Sequence, residues 1–138
     1  MTNILSKWSE PAIRVLMMPR DTNAHGTIFG GVILSYIDQA GAIEARRQGL
    51  QFMVTVSMDK VVFHEPVFVG DLVSFWTETL RIGTTSITTK VVVDAIRGGN
   101  PGQRVVVTEA TVVYVNIGED RKPRAIERRM NAYNDDRS

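Results

Sequence analysis

The amino-acid sequence predicts an α+β fold in which one central helix is enclosed by about five sequential antiparallel strands. Three observations predict it. Residues 30–47 form an apolar run that opens on glycines and closes on Arg46 and Arg47, the expected start and stop of a helix. One strand-like run precedes it and four follow, rich in valine, isoleucine, threonine and aromatics. The later runs are joined by short glycine-bearing turns, which fold consecutive strands back on one another.

Each element has its own warrant. "AIRVLMMP" (12–19) has strand-like residues and stops at Pro19, which suits a short edge strand. "RDTNAHGT" (20–27) is dense in turn formers and reads as a loop. In the helix, Ile33, Tyr36, Ile37, Ala40 and Ile43 keep helical spacing, while Leu34, Gly41 and Ala42 widen the stripe almost all round. A helix apolar on most sides is one that other elements surround. "FMVTVSMDKVVFHEPV" (52–67) alternates through Phe52, Val54, Val56 and Met58, then loses phase at Val61–Val62, where a bulge or bend is expected. "DLVSFWTETL" (71–80) and "SITTKVVVDAI" (86–96) flank "RIGTT" (81–85), with Gly83 available for positive φ. "GGNPG" (98–102) makes the next turn, and "QRVVVTEATVVYVNI" (103–117) is the last strand, with Val105, Val107, Thr111, Val113 and Val115 in one register. The 138 residues read as a single domain with its core over 12–126, and 127–138 as a solvated tail of mixed charge.

Composition narrows the function. With 43% hydrophobic and 22% charged residues the chain folds rather than staying disordered. A net charge of +1 gives no footprint for nucleic acid. There is no cysteine, hence no disulfide, thiolate metal site or Cys nucleophile. His25 and His64 are the only histidines and lie far apart in sequence, so no metal centre is expected. The amino-terminal stretch, broken by Lys7, Glu10 and Arg14, is neither a signal peptide nor a membrane span, which leaves the cytoplasm as the expected location.

Between Asp21 and Glu44 the only carboxylate is Asp38, placed mid-helix among Leu34, Ser35, Gly41 and Ala42. One reading is a polar residue facing solvent. The other is a general base, because partial burial raises a carboxylate toward a useful pKa and the small neighbours admit a ligand. Upstream, Gly26, Gly30 and Gly31 free backbone N–H groups at a helix amino terminus, where developing negative charge is stabilised. No Gly-Lys-Ser/Thr follows, so an acyl oxyanion fits better than a phosphate loop. Asn23 and His25 add side-chain hydrogen bonds; equally, Asn23 reads as an Asx-turn residue and His25 as a surface loop residue.

"DTNAHGTIFGGVILSYIDQAGAI", "VTVSMDKVVFHEPVFVGD", "RIGTTS" and "ATVVYVNIGEDRKPRAI" together resemble the hotdog-fold acyl-CoA thioesterases, in particular the YciA-like branch of short-to-medium-chain hydrolases. The resemblance implies a long helix wrapped by a curved antiparallel sheet, and homodimers that join further as trimers of dimers. Their active sites lie where two subunits meet. It also implies hydrolysis of an acyl-CoA to free acid and coenzyme A without a cofactor, coenzyme A being part of the substrate. Asp38 then matches the catalytic carboxylate, acting as general base on water or as nucleophile. Asn23 matches the loop amide, provided by the other subunit, and Gly30–Gly31 the backbone oxyanion site. His25 and Gly26 line the same loop. Gly83, Thr84, Thr85 and Ser86 lie where relatives hold part of the coenzyme A arm, and Lys122 and Arg124 are candidate phosphate ligands. The acyl chain is expected beside Tyr36 and Ala40. Many relatives carry a cation before the "PV" of the second strand where this chain has Glu65, so Lys60, Lys122 or Arg124 would have to compensate. His64 reads as a packed strand residue. Two rivals stand beside hydrolysis. A hotdog hydratase or dehydratase would rely on a His-Phe-Pro signature absent here, and acyl-CoA-sensing regulators carry a DNA-binding domain for which 138 residues leave no room.

Overall fold

A computed structural model describes residues 9–127. All but Glu127 of the expected tail, together with residues 1–8, lies outside the described residues. The elements run β1 (Ile13–Leu16), a 3-10 turn (Pro19–Asp21), α1 (Gly30–Arg47), β2 (Met53–Phe63), β3 (Leu72–Ile82), β4 (Ser86–Ile96) and β5 (Arg104–Asn116). One antiparallel sheet takes the five strands in the order β1-β3-β4-β5-β2. The short first strand is an edge strand, as Pro19 predicts, and β2 forms the other edge.

One stripe of α1, built from Ile33, Ile37, Ala40 and Ala45, is buried in a single cluster with Phe75, Val91, Val93 and Val112 of the sheet. Each isoleucine or valine so removed from water contributes roughly 1.5–3 kcal/mol, which makes this stripe the anchor of the fold. The sheet does not close around the helix. Gly31, Ser35, Gln39 and Arg46 are exposed, so α1 keeps one open face, contrary to the all-round enclosure its apolar breadth predicts. Small residues such as Gly41 and Ala42, counted as apolar in the sequence, account for that excess breadth. The helix ends where Gly49 takes φ +106°, a value that costs other residues strain, and the Leu50 N–H returns to the Ala45 carbonyl at 3.2 Å.

The phase break in β2 is real. Register shifts fall between Thr55 and Ser57 and between Asp59 and Val62, and Lys60 sits at φ 55°. The β3–β4 turn departs from expectation: Gly83 has no positive φ. It flanks the turn rather than occupying its centre, and its N–H donates to the Ser86 carbonyl at 2.8 Å. No helix among the described residues is long and apolar enough to cross a membrane.

Candidate active site

Asp38 is half-buried on the border between the packed and open faces of α1. Its Oδ1 accepts a 2.7 Å hydrogen bond from the Thr55 hydroxyl of β2. The carboxylate is therefore neither loose in solvent nor sealed in the core. Thr55 escaped the sequence reading because a threonine among valines is also what a strand prefers.

Gly41 serves another purpose than ligand access. A Cβ there would lie 2.3 Å from the Tyr114 hydroxyl and 3.0 Å from Thr89 Oγ1. Tyr114, from β5, passes through that gap, and its hydroxyl donates to the main-chain carbonyl of Asp38 at 2.5 Å. Burial first, then the negative charge of Asp38 and a hydrogen bond with it, hold the Tyr114 phenol well above its usual range; a backbone hydrogen bond at Ala42 opposes them. Tyr36 and Ala40 do not offer an acyl path along the helix. Ala40 is fully buried against the sheet, and Tyr36 tilts against Phe75 with ring centroids 5.6 Å apart. Their spacing puts them on the core stripe.

The 22–28 loop is a closed unit. Asn23 Oδ1 accepts from the N–H groups of His25 (2.8 Å) and Thr27 (3.2 Å), and its Nδ2 donates to Thr27 Oγ1 at 2.8 Å. The Asx-turn reading of Asn23 is thus realised, with one amide hydrogen to spare. His25 and Gly26 are exposed on the same loop, where Gly26 takes φ +85°. The N–H groups of Gly30 and Gly31 have no acceptor among the described residues, as the first turn of a helix dictates. Gly30, though not Gly31, lines a cavity of about 320 Å³ together with Ile33, Phe63, His64 and Glu65. His64 follows β2 and is exposed on this cavity rather than packed; its position beyond the last ladder pair, Phe63–Thr108, frees its side chain. Glu65 shares that rim.

The remaining candidates gather at the other end of α1. Thr84 and Thr85 offer their carbonyls to the N–H groups of Ile126 (2.8 Å) and Asn116 (2.7 Å), so the turn Gly83–Ser86 and the strip carrying Lys122 and Arg124 meet. Asn116 Nδ2 donates to the Arg124 carbonyl at 3.0 Å, and the Arg124 guanidinium lies over Gly118, where a Cβ would come within 2.6 Å of it. Lys60 lies in the β2 bulge, exposed. Glu44, which sequence reading passed over, is the fully buried carboxylate of the helix, accepting from Thr77 (2.9 Å) and Thr79 (2.6 Å) beside Arg47. No cluster able to hold a metal occurs among the described residues.

Along α1, Gly31 and Asp38 are seven residues apart, or about 10 Å at the helical rise. One chain therefore presents a carboxylate held by a hydroxyl and, apart from it, N–H groups without an acceptor at the start of the helix.

A long helix lying across a five-stranded antiparallel sheet, with a carboxylate on its open border, defines a hotdog-fold protein. The chain belongs to the thioesterase superfamily, whose family model matches residues 25–101. It is 41% identical over 119 residues to the acyl-CoA thioester hydrolase YciA of Salmonella typhimurium, covering 85% of this chain and 90% of that one. A hexameric hotdog fold thioesterase of Campylobacter jejuni superposes with a TM-score of 0.80 at 46% identity, covering 86% of this chain and 90% of that one. A hexameric thioesterase from Yersinia pestis gives 0.80 at 39%, covering 86% and 95%.

Proposed function

We infer that this chain is an acyl-CoA thioester hydrolase whose site is completed by a second copy of itself. The observation that carries the reading is the Asp38–Thr55 pair: a half-buried carboxylate held at 2.7 Å on an open helix face, in a chain whose relatives bear that activity. Asp38 takes a proton from water as the water oxygen attacks the thioester carbonyl. The oxyanion so formed is met by the N–H of Gly31 at the positive end of a helix, one such donor being worth about 3 kcal/mol of barrier. Collapse breaks the C–S bond, and the proton returns to the departing thiolate. Acid and thiol result from thioester and water alone.

An oxyanion and an attacking water share one carbon, so their protein partners must stand within a few ångströms of one another. The separation of about 10 Å along one helix is too great. Gly31, and with it Asn23 of the preceding loop, is therefore taken from a partner copy. The open edge of β2 supports such pairing, since Val54, Val56, Val62 and Phe63 are 44–55% exposed along it. Hexameric relatives support a trimer of these dimers. The turn Gly83–Ser86, Lys122 and Arg124 hold the coenzyme arm in this reading, and the cytoplasm is its setting.

Thiol release measured across a series of acyl-CoA chain lengths tests the activity, and light scattering the assembly. Thiol release by the wild-type protein that persists at full kcat in Asp38→Asn removes the base from the mechanism. Absence of thiol release with every acyl-CoA removes the function.

A further inference from the structure

A second cavity, of about 560 Å³, lies between the carboxyl-terminal half of α1 and the start of β2. Its floor is apolar, built from Ala42 of α1, Phe52 just before β2, Val54 of β2, and Ile117. Ala42 is the next helical neighbour of Asp38, and Val54 precedes Thr55 in the strand. From Asp38 to Arg46 the helix advances about 12 Å, while the chain runs back from Thr55 to Phe52 at the start of β2. The cavity is therefore a trough leading away from the carboxylate, and Arg46 and Arg121 stand on its walls.

Among the described residues Arg47 is committed to Glu44, Arg97 to Asp71 and Arg104 to Asp94, whereas Arg20 and Arg81 are exposed without an ion pair, as Arg46 and Arg121 are, but do not line this cavity. Arg46 and Arg121 are exposed and have no side-chain partner among the described residues, and Glu119 on the same rim leaves the pair in excess by one charge. Arg121 also sits at φ 64°, a backbone conformation that glycine or asparagine adopts more cheaply. A helix-terminal cation such as Arg46 has an ordinary role against the helix dipole. That role does not account for an arginine in a left-handed turn opposite it.

We propose that this trough binds the phosphate end of the coenzyme A moiety, with Arg46 and Arg121 as the paired anion ligands and Phe52, Val54 and Ile117 beneath the apolar part of the arm. The inference rests on the hydrolase reading above and adds residues to it. Guanidinium groups grip phosphate oxygens through parallel N–H bonds, which lysine cannot reproduce. The trough also continues onto Gly118, over which Arg124 lies, so the older candidates at the carboxyl-terminal strip border the same groove.

The test compares butyryl-CoA, butyryl-dephospho-CoA and butyryl-pantetheine as substrates for wild type, Arg46→Gln, Arg121→Gln and the double variant, with Lys90→Gln on β4 as a charge control. Each single change should raise KM for butyryl-CoA roughly ten-fold, with kcat changed less than two-fold, and the double change further. KM for butyryl-pantetheine, which lacks every phosphate, should not move. A KM effect that vanishes with dephospho-CoA assigns the pair to the 3′-phosphate; one that persists assigns it to the diphosphate. Equal KM increases for the pantetheine ester, or none for the CoA ester, overturn the proposal. Calorimetry of coenzyme A alone keeps the two readings distinct. Weakened binding in the arginine variants supports the site even where no thioester is cleaved, and unchanged binding refutes it even where thioesters are.

Discussion

The Tyr114 hydroxyl donates a 2.5 Å hydrogen bond to the carbonyl of Asp38, reaching it through the space left by the missing side chain of Gly41. A strand residue thereby fixes the helix at the turn that carries the candidate base.

That relationship sets up a double-mutant cycle. Gly41→Ala forces a methyl group against the phenol and should cost about 2–3 kcal/mol. Tyr114→Phe removes the hydrogen bond and should cost about 1–2 kcal/mol, with kcat falling more than KM changes. Combined, the two should cost clearly less than their sum, because the phenylalanine vacates the oxygen position nearest the new methyl group. Urea unfolding reads the stabilities, and additivity within error would place the clash elsewhere.

Stability should respond to alkali through the same phenol. Its folded-state pKa is raised above the ordinary value of 10.0, chiefly by burial. Below that ordinary value both states hold the proton and the phenol adds no pH dependence. As pH rises past it the unfolded chain ionises while the folded chain does not, so stability falls until the raised pKa is passed. Urea midpoints between pH 8 and pH 11 should decline in the wild type, more shallowly in Tyr114→Phe.

The hydroxyl on Asp38 separates positioning from bulk. Thr55→Val keeps the shape and deletes the donor, and should lower kcat about ten-fold with KM nearly constant. Thr55→Ser restores the donor and should recover most of the rate. A valine variant with wild-type kcat in the thiol-release assay would leave Thr55 a strand residue only.

A site divided between two copies predicts complementation. Asp38→Asn loses the base, and Gly31→Pro loses the N–H while suiting the first turn of a helix. Refolded together, these inactive chains should regain about a quarter of the wild-type rate, since a mixed twofold dimer holds one site intact in both halves. No recovery in a mixture shown by native mass spectrometry to contain mixed dimers would place both groups in one chain.

Glu44 is the structural counterpart of Asp38. Fully buried, it holds two threonine hydroxyls of β3 next to Arg47. Glu44→Ala deprives those donors of their acceptor and removes the carboxylate beside a mostly buried guanidinium, and should cost about 3 kcal/mol in urea unfolding. Glu44→Gln should cost less, and activity per folded molecule should hold in both.

The sequence made the helix, its stop at Gly49, the bulge near Val61 and the candidate base legible, because each depends on local spacing or on one unusual residue. Thr55 and Tyr114 were not legible. They touch Asp38 across 17 and 76 positions, and each is also the residue its strand would choose for packing. Gly41 looked like access for a ligand because a gap in the sequence does not say what fills it. Glu44 looked like an ordinary residue near the helix end, since nothing local tells which turn of the helix the threonines of β3 will meet.

Strand order also bears on how the chain is made. Among the described residues, 53–63 pair with 104–116 alone, so during synthesis β2 leaves the ribosome before that neighbour has been translated. For the seconds that interval lasts, an apolar ribbon bearing Val54, Val56 and Val62 has both hydrogen-bonding edges vacant. The nascent protein thus passes through a sticky stage imposed by topology alone, and slow translation or crowding of like chains on one message prolongs its exposure.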